Sequence, residues 1–445
     1  MKHTRRLSVF WLAAIGLAGH ACLGADASRG IALEPGDAEV AGSMHSAMEQ
    51  SPCVTVGQGG EEIIGCDNRA LQAAVDYIAG LGGGVVKIGP GEYAMRDSLH
   101  LRSDVTVLGT KGKTILRKAD GPQSPLVVDG DYGEEQVTVA NPEGFHVGDG
   151  IAIWDTANAG GFTMTVARIT GRSGNTFSIS QPLNDDCLMR RGAMAALAFP
   201  VVSGSGIEGA RVENIIVEGN KDHNPYLSGC RGGGIYLFRG YRTVIANCTV
   251  KNYNGDGVSF QASNDVELAD CLSEGNANMG FHPGAGSQRA HVTGCVARDN
   301  GNDGLYLCWR VRHGVFENNM LEDNGRYGAT LGHKDSDNLL RNNHIRANYE
   351  GGVAFRDTGA GLAMAPSRNT LENNLIENNG TEHDVAGISV SGKTTGLIFR
   401  DNTIQDTRPP GQRKQTIGVR VDDKAGDVAL ENNRIDAARA VVMGP

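Results

Sequence analysis

Paired residues recur every 23 or 24 positions through the second half of the chain: Asn247-Cys248, Asp270-Cys271, Gly294-Cys295, Asn318-Asn319 and Asn342-Asn343. A glycine ladder keeps the same step, at Gly257, Gly280, Gly304, Gly328 and Gly352. Each glycine opens a short alternating segment such as Gly-Val-Ser-Phe-Gln. A fixed period of this length marks one supersecondary unit per repeat, with neighbours stacked to complete a shared core. Strand-like alternation, turn-rich joints and no helical periodicity make that unit one coil of a parallel β-helix. The period also tells which side chains stand above one another.

The chain has 445 residues, which one solenoid can absorb, and its 63 glycines with only 5% aromatic residues suit a turn-dense stack. A formal charge of -10 provides no general affinity for nucleic acid or an anionic membrane. Lys2, Arg5 and Arg6 precede an apolar run, Leu7 to Gly19, that is too short to span a bilayer, and Ala25-Asp26-Ala27 offers a small-residue cleavage site. The expectation is a signal peptide over 1–27, a polar linker over 28–55, and a secreted or periplasmic protein with no membrane span. Export permits disulfides; Cys53 with Cys66, and less well Cys187 with Cys230, are candidates. Cys248, Cys271 and Cys295 share one ladder position and read as stacked inward thiols. Asn276, Asn300, Asn324 and Asn348 form a further column, expected to satisfy one another at the turns.

Upstream, Asp67 is placed to cap a helical stretch running from Asn68 through Val75. It leads into Gly82-Gly83-Gly84-Val85-Val86 and Pro90-Gly91-Glu92-Tyr93, then Asp104 to Gly109. This order resembles the opening of pectate-lyase-superfamily proteins, a likeness covering about 60 to 440. The resemblance implies an all-β, right-handed parallel β-helix with an N-terminal capping helix, over 56–445. The period is lost between about 135 and 200, where a small β insertion is expected, and regular coils should run from 210 to 437. The step from Asn343 to Asn374 is 31, which places an inserted loop near 358–367.

Within each coil, residues one and three after the ladder glycine are apolar, so residues two and four should face solvent. Those outward columns read Ser259, His282, Tyr306, Thr330, Ala354 and Gln261, Gly284, Cys308, Gly332, Arg356. Beyond them Trp309, His333 and Asp357 stand 24 apart, as do Arg310 and Lys334. Stacked strands lie about 4.8 Å apart, so His333 should sit between Trp309 and Asp357, with Asp357 raising its proton affinity. Arg310 should neighbour Lys334 and make it a better base. Exposed aromatic rings beside cations suit a sugar platform facing an anion. The candidate catalytic residues are Lys334, His333, Arg356, Tyr306 and His282; the candidate substrate contacts are Arg310, Trp309, Asp357, Asp335 and Asp303.

Such a group suits β-elimination from a uronic-acid polysaccharide. Cations neutralise the carboxylate beside the departing proton, and a base and an acid flank it. The Lys334 and Arg356 pair is similar to the Lys base and Arg acid of alginate and chondroitin lyases on this fold. Their Glu-x-Glu calcium motif has no counterpart in Ala329-Thr330-Leu331-Gly332-His333, so no cofactor or metal is assigned. Gly332-His333 resembles the Gly-His element of polygalacturonases, whose paired-Asp motif is missing. Phe281-His282-Pro283 is a loose echo of the Asp-Pro-His signature of mannuronan epimerases, which is itself absent. A polysaccharide lyase is the leading reading. A glycoside hydrolase using Asp357 with Asp335 or Asp303, a uronate epimerase and a non-catalytic glycan-binding protein remain open.

Overall fold

The structure, a computed structural model, describes residues 50–444. The expected signal peptide and most of the expected linker lie outside the described residues. Three long parallel sheets wind together, of 13, 11 and 11 strands. The first runs from Ile63–Ile64 to Val428–Glu431, the second from Gly91–Met95 to Arg434–Asp436, and the third from Leu99–His100 to Arg439–Met443. Each coil contributes one strand to each sheet. This is a parallel β-helix.

The paired ladder explains how one coil turns from one sheet to the next. The first member of each pair is in the left-handed region, with φ of 51° at Asn247, 52° at Asp270, 64° at Gly294, 56° at Asn318 and 54° at Asn342. Asn, Asp and Gly are the residues that tolerate that conformation. The second member then points inward, as the buried Cys248, Cys271, Cys295, Asn319 and Asn343 do. Inward amides bond along the stack: Asn319 Nδ2 donates to Asn343 Oδ1 at 3.0 Å, and Asn343 to Asn374 at 2.9 Å. The column Asn276, Asn300, Asn324, Asn348 does the same at 2.9 to 3.0 Å and continues to Asn379. The three column cysteines are free thiols, and so are Cys53, Cys66, Cys187 and Cys230, which form no disulfide here.

Val258, Phe281, Leu305, Ala329 and Val353 pair in register and are buried in one column. The helix Asn68–Gly80 packs Leu71, Ala74, Val75 and Ile78 toward the first coils, and the Asp67 carboxylate accepts from the Arg69 and Ala70 amides. Six antiparallel strands between Gln123 and Ala196 form a separate sheet. Ion pairs tie it to the first coil: Arg96 Nε to Asp149 at 2.8 Å and Arg168 Nε to Asp97 at 2.5 Å.

Candidate functional site

The third sheet presents the outward columns, and its register explains which side chains meet. Ser259 pairs with His282, and Tyr306 pairs with Thr330, which pairs with Ala354. The outward face is not uniformly wet. Ser259, Gln261, His282 and Thr330 are all buried. The segment around Gly229 lies over the first of them: Ser259 Oγ donates to the Gly229 carbonyl at 2.6 Å. Period two decides the side of the sheet, and a covering segment decides the exposure.

His282 is therefore corrected from a surface proton-transfer group to a buried one. Its Nδ1 meets Asp256 Oδ2 at 2.5 Å, while its Nε2 is shut from solvent without a hydrogen-bond partner. Burial alone would lower its proton affinity, but the Asp256 charge outweighs that and pushes its pKa up to about 10. The ring stands edge-on to Tyr306, with centroids 5.2 Å apart. Asp256, absent from the candidate set, also accepts from Asn278 Nδ2 at 2.6 Å and the Met279 amide at 3.2 Å. The dipeptide Asp256-Gly257, repeated as Asp303-Gly304, is the one sequence signal for it.

Two expected substrate contacts are likewise structural. Asp335 is fully buried and accepts from the Val311 amide at 2.9 Å and the Gly332 amide at 2.8 Å, closing a turn. Burial raises its pKa to about 6 against those bonds. Asp303 is fully buried too, accepting from the Tyr327 amide at 3.1 Å and Thr330 Oγ1 at 2.9 Å. Neither carboxylate is open to a saccharide.

The remaining candidates surround Arg356. Its guanidinium reaches back across two coils, donating from Nη1 to the Tyr306 hydroxyl at 2.7 Å and from Nη2 to the Leu307 carbonyl at 3.2 Å. On the way it crosses Gly332, where a Cβ would collide with its Nη2 and Cζ. The cation also sits 4.5 Å from the Tyr306 ring centroid. Burial raises the Tyr306 phenol above its ordinary range, so it stays protonated, although Arg356 opposes the shift.

Trp309 is 43% exposed and stacks on His333, with centroids 4.6 Å apart and planes 7° from parallel. Trp309 and Arg310 both have left-handed backbones, φ 66° and 67°; Trp309 takes the turn position that Ala262 and Ala285 occupy in earlier coils. Bulky residues seldom take that conformation, and such strain concentrates at functional sites. The Arg310 amide donates to the His333 carbonyl at 2.8 Å. Lys334 is partly exposed, and its amide donates to the Met364 carbonyl of the inserted loop at 2.8 Å.

The expected Asp357 to His333 coupling is overturned. Asp357 is exposed and accepts from the Gly359 amide at 2.8 Å. Burial, then Arg356, lowers the His333 pKa, so its ring is neutral at neutral pH. Its Nδ1 is buried and unpartnered, as is Arg356 Nε. Beside Trp309 a pocket of about 370 Å³ opens against Phe162, in the loop between two strands of the antiparallel sheet, with Cys230 and Cys308 in its wall.

A family described as periplasmic copper-binding protein (NosD) matches residues 214–409. Mannuronan C5-epimerase AlgE5 of Azotobacter vinelandii is 23% identical over 308 residues, which are 67% of this chain and 21% of that protein. The A-module of the mannuronan C-5 epimerase AlgE4 from Azotobacter vinelandii superposes with a TM-score of 0.52 at 16% identity, covering 88% of this chain and 98% of the module. A polygalacturonase from Erwinia carotovora superposes at 0.55 with 11% identity, covering 88% of this chain and 95% of the enzyme. The fold is the right-handed parallel β-helix of both solved structures. This chain spans about a fifth of the length of the AlgE5 relative. Among the described residues, no helix is long and apolar enough to cross a membrane, and no group of three or more His, Cys, Asp and Glu is placed to hold a metal ion.

Proposed function

We propose that this protein is an exported enzyme acting on an anionic, uronate-bearing polysaccharide by removing the proton beside the carboxylate. The observation that carries the proposal is the Arg356 guanidinium bonded to the Tyr306 hydroxyl beside a neutral His333 stacked on Trp309. Environments that push two titratable groups apart are how one site runs acid and base chemistry together. His333, held neutral, takes the proton; Tyr306, held protonated, gives one to the departing oxygen. Arginine remains charged throughout the accessible range, so Arg356 neutralises the substrate carboxylate rather than acting as the acid that the lyase resemblance implies. Lys334 and Arg310 add positive charge along the same edge, and Trp309 gives a ring on which a sugar can lie.

Elimination is the reaction proposed, because Tyr306 on the third sheet and His333 in the turn after the strand Tyr327–Leu331 both lie beside Arg356 and so address one face of the sugar. Epimerisation at the same carbon is the second reading, supported by the likeness to mannuronan C5-epimerases. Hydrolysis is disfavoured because burial of Asp303 and Asp335 leaves Asp357 without a partner carboxylate. No copper site is proposed, since the described donor groups do not cluster as one needs. The test is incubation with polymannuronate, polyguluronate, polygalacturonate and a neutral glucan. Ultraviolet absorbance of an unsaturated product supports elimination. Inverted residues seen by proton NMR, without chain cleavage, support epimerisation. New reducing ends without absorbance, or action on the neutral glucan alone, overturn the proposal.

A further inference from the structure

A second polar group stands on the same sheet, outside the site described above. Ser203 pairs in register with His100 on one side and Tyr236 on the other. Ser203 Oγ lies 3.1 Å from His100 Nδ1, and His100 Nε2 lies 2.9 Å from Asp97 Oδ2. Asp97 is buried, and Arg168 Nε donates to the same oxygen at 2.5 Å. A serine hydroxyl, an imidazole and a buried carboxylate in series are the arrangement that activates serine as a nucleophile, whatever the fold. The bonds fix one tautomer: Nε2 carries the hydrogen given to Asp97, leaving Nδ1 free to accept from the hydroxyl.

The three residues open into a pocket of about 360 Å³, also walled by Arg231, Tyr236 and Phe238. That volume holds a small organic group. We propose that Ser203, His100 and Asp97 form an acyl-ester hydrolase site that removes small acyl groups from the hydroxyls of a saccharide chain. Ser203 Oγ bonds to the ester carbonyl carbon as His100 takes its proton. The carbon–oxygen bond to the sugar then breaks, and His100 protonates the departing sugar oxygen. Water next attacks the acyl-serine, gives its proton to His100, and releases the carboxylic acid as Ser203 regains its hydrogen. Asp97 is a positioning residue. The strand backbone at Ser203 is committed to ladders on both sides, so the charge on the tetrahedral oxygen falls to the cations of the pocket wall: Arg168, whose Nε also donates to Asp97, and Arg231, whose Nε donates to the Phe162 carbonyl at 3.0 Å.

Register also places this site relative to the first. Ser203, Tyr236, Ser259, His282 and Tyr306 are successive members of one outward column, so about 19 Å separates the first from the last at the usual strand spacing. The segment at Gly229 roofs Ser259 and His282 between the two sites, so a saccharide reaching both crosses over that roof.

The test treats the full chain with a fluorophosphonate, which phosphorylates an activated serine and releases fluoride. Peptide mapping should place one label on Ser203, and acetylated polymannuronate should release acetate. Ser203→Ala should abolish labelling and lower acetate release at least 100-fold. Ser203→Cys, close in volume, should keep the melting temperature and lose the label, so a misfolded alanine variant does not blunt the test. Asp97→Asn should slow labelling while the melting temperature holds, and Asp97→Glu should restore part of the rate; a purely structural Asp97 would move rate and melting temperature together. Absence of label, label on another residue, or unaltered acetate release from Ser203→Ala overturns the proposal. Failure of the uronate reaction with labelling intact would strike the first site alone.

Discussion

The asparagine columns and the Arg356 cluster are built by the same coil step, yet they treat polar atoms in opposite ways. In the column from Asn276 to Asn379 each amide gives a hydrogen to the next. The same nitrogen also reaches a backbone carbonyl, as Asn324 Nδ2 does at the Ala297 oxygen, 3.1 Å away. Around Arg356 the buried atoms His282 Nε2, His333 Nδ1 and Arg356 Nε have no hydrogen-bond partner. Buried polar groups in folded proteins are nearly all paired. Stacking by itself makes neighbours; a place where stacking leaves polar atoms unpaired is a place held for something else.

Removing Arg356 should break this contrast most severely. Arg356→Ala should lower turnover on a polyuronate by about 100-fold or more, the usual scale for losing a group that meets developing charge. Arg356→Lys should restore little, since one ammonium cannot serve the Tyr306 hydroxyl and the Leu307 carbonyl together. Initial rates beside melting curves check this. A large fall in melting temperature with normal turnover would make Arg356 a mere strut.

Asn324→Ala should do the reverse. It strands the partner atoms of Asn300 and Asn348 inside the stack and should cost about 1–3 kcal/mol, read from the urea midpoint, with turnover per folded molecule unchanged. Activity lost in step with the Arg356 variant would erase the distinction between the two regions.

Stacking is legible in the sequence because the period is an integer count of residues: the buried column from Val258 to Val353, the inward cysteines and the asparagine ladder all follow from it. The Trp309 and His333 contact follows from the same count. What period cannot carry is anything lying across the coils. The segment at Gly229 that roofs Ser259 and His282 has no periodic signal, so His282 reads as open when it is not. Asp303 and Asp335 read as available because most of their partners are backbone amides, which a sequence does not display. Arg356 passes for a local cation because its reach to Tyr306 depends on the missing side chain at Gly332.

That glycine gives the next test. Gly332→Ala forces the guanidinium aside while meeting only a flexible side chain, so stability should barely change. Turnover should fall about tenfold, a loss of about 1.4 kcal/mol in transition-state stabilisation. Unchanged rates would mean that the path of Arg356 over Gly332 is incidental.

The two histidines sharpen the comparison with the smallest effect, through pH alone. His282 has its pKa raised to about 10 by Asp256, above the unfolded value of about 6.5. Its stabilising contribution is therefore complete below the unfolded value and is lost as pH rises toward 10. Melting temperature should fall across that alkaline window, and the fall should flatten in His282→Gln. His333 has its pKa lowered by burial and Arg356, so the folded state binds its proton less well than the unfolded chain. Its contribution has the opposite sign: stability is lost as pH falls below the unfolded value. The catalytic consequence runs the same way, because only the neutral ring can take a proton. Turnover should climb with pH on the acid side, level off before neutrality, and lose that limb in His333→Gln. A limb that survives the substitution would assign the base to another group, with Lys334 next in line.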